Sequence, residues 1–172
     1  MNSSFTLWST FFDICRLRLK PQDLPYSNAF LSLIILAYIV ISILQALLLH
    51  YPIIKALLST LVDTGLFVIL ISSLLFFANK SSRIIQTLTA LAGANCILGI
   101  ISLPLMAWLG FFEGDMSIPI LLFVILMVWN MFIYAHVIQH ALTIHFFFSV
   151  LLTILIFFLN FTVMSQLFPL AK

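Results

Sequence analysis

Asp63 is the residue whose type and position most suggest chemistry. It is an acid within a long apolar run, and the other four acidic residues all lie outside such runs. A charge at the centre of a bilayer costs on the order of 3 kcal/mol before any rescue, so an intramembrane acid is expected to serve as a proton relay, bind a cation or pair with a polar neighbour. Asn95 and Asn130 lie at similar depth in other apolar runs and complete a candidate intramembrane polar cluster with Asp63. Asp63 is expected about two turns from the outer end of its helix. That position favours interhelical pairing over a conducting path, which usually strings several ionisable groups through the membrane.

His136 and His140 are the second candidate. Residues four apart share a helical face, and two imidazoles so placed can bind a metal. The intervening Val137, Ile138 and Gln139 lack the Glu that an H-E-x-x-H metalloprotease uses as general base. The leading expectation is therefore a pair of boundary histidines with Trp129 and Tyr134 packed above them, and no metal.

Other polar residues read as helix glue. Gln45, Asn95, Asn130 and Asn160 are amides in apolar surroundings, where each interhelical bond contributes roughly 0.6–2 kcal/mol. Ala90, Gly93, Ala94 and Gly99, with Thr89, form small-residue ridges that let backbones approach closely, so the third span is expected to be central. A bulky replacement at Gly93 should accordingly harm the bundle more than trimming Leu75, which is expected near a membrane boundary with few contacts. Pro104 should kink the outer half of that span.

The elements that position these residues follow from composition. Of 172 residues, 64% are hydrophobic and 7% charged, which excludes water as the main solvent and leaves no room for a soluble catalytic domain. Five apolar stretches, at about 28–50, 56–78, 84–110, 118–138 and 146–168, are each long enough to cross a hydrocarbon core of about 30 Å. In lipid each backbone N–H and C=O must find a partner within the protein, so the spans are helices despite abundant Phe and Ile. Ahead of them, Phe5, Trp8, Phe12, Cys15 and Leu19 make a helical stripe ending in Arg16, Arg18 and Lys20, as in a helix lying in the membrane interface. Pro21 and Pro25 then form an elbow into the first span.

The expected fold is an all-α integral membrane protein. An N-terminal amphipathic interfacial segment with its elbow (1–27) precedes a bundle of five transmembrane helices (28–172). No cleaved leader is expected, because the basic cluster follows the first apolar run instead of preceding it. Five Lys or Arg (Arg16, Arg18, Lys20, Lys80, Arg83) fall on one side, against Lys55 and Lys172 and the acidic loop Phe111–Ser117 on the other. This bias places the N-terminus in the cytoplasm and the C-terminus opposite. Cys15 and Cys96 lie at different depths and are expected to stay unpaired. The Asn-x-Ser/Thr tripeptides at Asn2, Asn79 and Asn160 fall on the cytoplasmic side or inside a span, so they are chance matches to a glycosylation signal.

Phosphate-binding glycine loops, nucleophile elbows, C-x-x-C pairs and basic runs with interleaved aromatics are all missing from the sequence. Enzymatic activity, cofactors and nucleic-acid partners are therefore not expected.

The segment Leu17–Ser27 (LRLKPQDLPYS), the stretch Arg83–Leu105 (RIIQTLTALAGANCILGIISLPL) and the stretch Val128–Leu152 (VWNMFIYAHVIQHALTIHFFFSVLL) resemble the Yip-type membrane family, over about residues 10–168. The resemblance implies a five-helix bundle with a cytoplasmic N-terminus. Eukaryotic members bind trafficking GTPases, whereas the short bacterial members mostly lack an assigned activity. This chain departs from the eukaryotic pattern in having no long N-terminal domain, and no catalytic residue carries over. The expected function is a non-enzymatic scaffold or accessory subunit of a bacterial-type inner membrane that packs against a membrane-protein partner or a second copy of itself. The alternative is a small transporter or proton-coupled channel using Asp63.

Overall fold

A computed structural model describes residues 11–18, 21–111 and 116–168. Five long helices form the bundle: α1 (Asn28–Leu48), α2 (Ile53–Phe77), α3 (Ile84–Phe111), α4 (Ser117–Leu142) and α5 (Phe146–Leu167). All five are long and apolar enough to cross a membrane, and the protein is an all-α integral membrane bundle with no strand among the described residues. Many large apolar side chains point outward, including Leu36, Ile54, Phe77, Phe147 and Phe158. An apolar surface of that extent requires lipid around it.

Helices α2 and α5 each bury a stripe set by their spacing. In α2 the buried residues are Ala56, Thr60, Thr64, Phe67, Ile71 and Leu75, three or four apart along one face. In α5 they are Ser149, Thr153 and Ile156. The third helix differs: Thr87 to Ala94 are all buried, so no face of that segment meets lipid. It is central because small side chains let its neighbours close in. A Cβ on Gly93 would collide with the Phe11 ring, and one on Gly99 would lie 2.7 Å from Ile41 Cγ2. α3 also runs unbroken through Pro104 to Phe111.

Four helix ends close in the same way. Leu17, His50, Asn79 and Thr143 each adopt φ between 56° and 60°. In every case the next residue's N–H bonds back to a carbonyl five positions earlier: Arg18 to Asp13, Tyr51 to Ala46, Lys80 to Leu75, and Ile144 to Gln139. This left-handed closure satisfies carbonyls that the helix leaves orphaned, and glycine usually supplies it. None of the four is glycine. The closure at Thr143 also sets the end of α4, which extends four residues beyond the expected boundary at 138 because Gln139 and His140 are still helical.

The apolar stripe of the N-terminal segment lies mostly outside the described residues. Where it is described, residues 11–15 are helical and packed into the bundle: Phe11, Ile14 and Cys15 are all buried. Phe11 stacks on Phe30 and covers Gly93, and the Trp129 indole donates to the Cys15 carbonyl at 3.2 Å. The face carrying Phe11, Ile14 and Cys15 therefore meets protein, while Phe12 of the expected stripe is half exposed. The elbow docks as well: Gln22 donates to the His140 carbonyl at 2.8 Å, and Gln86 donates to the Leu24 carbonyl at 2.9 Å. Arg83 adds bonds to the carbonyls of His140 and Ala141. The bundle is thus dense and locked at the end where α1, α3 and α5 begin.

The acidic loop residues Glu113 and Asp115, together with Lys20 and Lys172, lie outside the described residues.

Candidate intramembrane binding site

The other half of the bundle is open. A cavity of about 800 Å³ runs from mid-bundle, at Tyr38, Phe67 and Asn95, to the end marked by Tyr51 and Phe168. All five helices contribute to its wall, which is mostly carbon.

Asp63 lies in this wall, ten residues into α2 from Ile53 and therefore about 15 Å along the helix, deeper than expected. Tyr38 of α1 donates its hydroxyl to Asp63 Oδ2 at 2.8 Å, and Asn160 of α5 donates its amide to Oδ1 at 2.9 Å. Both carboxylate oxygens accept, so three helices meet at one acid. Among the described residues, Lys55 is the one Lys or Arg within helices α1–α5, and it lies two turns nearer the end of α2. The carboxylate is thus held by neutral donors.

The three residues of the expected polar cluster all line this one cavity, but they do not bond to one another in a single group. Asn95 donates to the Tyr134 hydroxyl at 2.8 Å, joining α3 to α4. The Oδ1 atoms of Asn95 and Asn130 are buried without a hydrogen-bond partner, at a cost of about 1–3 kcal/mol for each unsatisfied group. Gln45 clasps α1 to α3 through Ser102 Oγ at 2.7 Å and the Gly99 carbonyl at 3.1 Å.

Sequence reasoning missed Tyr38. The signal was available: a tyrosine in mid-span must find a partner for its hydroxyl, and only a polar side chain on a neighbouring helix can supply one. Tyr134 was misplaced. Instead of packing over the histidines, its ring meets Phe67 at 6.3 Å and Phe157 at 5.1 Å, edge to face, while Tyr38 lies 6.2 Å from Phe67. Four helices thereby assemble an aromatic layer across the inner end of the cavity, one turn beneath Asp63. Trp129, the other residue expected above the histidines, is engaged with Cys15 instead.

His136 and His140 do share a face, with ring centroids 4.5 Å apart. Among the described residues no group of three or more His, Cys, Asp or Glu could hold a metal. Cys15 and Cys96 are free and buried, and burial pushes the Cys15 thiol up to about 11.

Compared with protein-family models, with curated proteins and with solved structures, the chain matches none.

Proposed function

We propose that the protein is a small membrane transporter that takes up its solute in the intramembrane cavity and uses Asp63 as its cation or proton site. The observation that carries this reading is the position of Asp63: a carboxylate in the wall of a cavity of about 800 Å³, held from both sides by Tyr38 and Asn160. An acid needed only as glue would be expected in a closed interface, whereas a residue lining a large cavity can be reached by a solute. Intramembrane acids that face cavities mark ion and substrate paths. The two unpartnered amide oxygens on the same cavity add further support, since buried acceptors are retained where a donor is used. In the orientation expected from the charge bias, the cavity faces the outside of an inner membrane and the locked end faces the cytoplasm.

The test is flux in reconstituted vesicles. Wild-type protein should carry a saturable, pH- or cation-dependent current, and Asp63→Asn should abolish it while keeping the detergent melting point equal or higher, because the amide removes a buried charge. Unchanged flux in a folded Asp63→Asn protein would overturn the proposal.

The second reading is the Yip-like scaffold or accessory subunit. It draws on the exposed aromatic surface of α5, with Phe147 and Phe158 outward. Partner contacts would have to use such faces, because Ala90, Gly93 and Ala94 are already buried within this chain.

A further inference from the structure

We infer that the ligand of this cavity is an organic cation: an ammonium group anchored at Asp63 and carried on an apolar body that fills the remaining space. The inference rests on Asp63 being a binding site, as proposed above, and adds the chemical class of what it binds.

Three observations lead there. The first is charge: among the described residues the cavity wall holds one acid and no Lys or Arg, so a cation is the complementary guest. The second is the ligand set around that acid. A bare inorganic cation needs about six or more oxygen donors at close range, as magnesium and calcium do. The hydrogen bonds to Asp63 come from the Tyr38 hydroxyl and the Asn160 amide, and among the described residues no group of three or more His, Cys, Asp or Glu could hold a metal. An alkylammonium asks for less, since one carboxylate and an aromatic face can hold it. The third observation is the rest of the wall. The Tyr38–Phe67–Tyr134–Phe157 layer lies a turn from the carboxylate, and Leu98, Met106, Met127 and Phe161 line the cavity around it. About 800 Å³ falls within the range of roughly 300–1,000 Å³ typical of sites for drug-sized molecules, which pair an apolar lining with a few placed polar groups. A hydrated inorganic ion would leave that apolar lining unused.

The experiment is calorimetric titration of the full chain in nanodiscs, with lipid-only nanodiscs subtracted. The probes are 4-phenylbutylammonium and its neutral counterpart 4-phenylbutanol. The ammonium should bind saturably and about 10–100-fold more tightly than the alcohol, as expected for a charge-assisted contact. Asp63→Asn should reduce the ammonium to the alcohol's affinity, and Phe157→Leu should weaken it severalfold. Because the two probes are compared on the wild-type protein, the inference remains testable even where a variant fails to fold. Equal affinity for the two probes, or ammonium binding unchanged by Asp63→Asn, would overturn it. Asp63-dependent proton flux without ammonium binding would also overturn it, while leaving the transport reading intact. Saturable, Asp63-dependent ammonium binding in a protein that shows no flux would uphold the inference and remove the transport reading.

Discussion

The hydroxyl of Tyr38 lies 2.8 Å from Asp63 Oδ2, joining the antiparallel helices α1 and α2 at mid-bundle through residues 25 positions apart. Tyr38→Phe removes the donor and keeps the ring. It should lower stability by about 1–3 kcal/mol, the range for leaving a buried acceptor without its partner. Chemical denaturation in mild detergent measures the loss, and an unchanged midpoint would mean that Tyr38 does not hold the acid.

Gly93 and Gly65 should respond in opposite directions. Gly93→Ala drives a methyl into the Phe11 ring, whereas a Cβ at Gly65 meets nothing within 4 Å. The first should destabilise, and the second should stabilise by up to about 1 kcal/mol through helix propensity. Adding Phe11→Ala to Gly93→Ala should cost less than the sum of the two single changes, because the collision disappears. Thermal melts of the four variants decide.

Leu75 is 1% exposed, packed in the hydrophobic core, and is not a thinly contacted boundary residue. Leu75→Ala should therefore cost about 2–5 kcal/mol, rivalling a bulky replacement at Gly93. A loss below that range, read from the same melts, would show that the core relaxes around the gap.

The Cys15 thiol, raised by burial from 9.0 to about 11, should be almost fully protonated at neutral pH and slow to alkylate until the protein unfolds. The unfolded chain ionises first as pH rises, so the thiol's contribution is intact below about pH 9 and is lost as pH climbs towards 11. Cys15→Ala should remove that loss, at most about 3 kcal/mol. Stability measured across this pH window in both proteins is the check.

Thr143 is a β-branched residue held at φ 59°. Thr143→Gly relieves a left-handed strain of about 1–2 kcal/mol, partly offset by backbone entropy in the unfolded chain. A net gain in stability is expected, and a loss would assign more weight to the Thr143 hydroxyl, which bonds the Leu142 carbonyl at 2.6 Å.

Much of this protein was determined by its sequence alone. Helical spans follow from the need to satisfy the backbone inside lipid, and their number follows from runs of about 20 apolar residues. The central place of α3 was legible for a local reason: Ala90, Gly93, Ala94 and Gly99 have no bulk with which to hold neighbours away. The isolation of Asp63 as the acid within the spans could likewise be read directly. Tertiary structure decided what lies beside it. Helix rotation and vertical register set whether Tyr38 and Asn160 meet its oxygens, and interhelical fits of a few ångströms leave no periodic trace in a chain that is apolar on every side. The same holds for the N-terminal segment. Its apolar residues fit either lipid or protein, and the gap at Gly93 is what admits Phe11, outside the expected stripe, into the bundle. The helix ends at Leu17, His50 and Thr143 carry no glycine to announce them, so hydrogen bonds across each turn set those boundaries. The cavity is the furthest from the sequence, because it exists only where five helices, dense at one end, fail to close at the other.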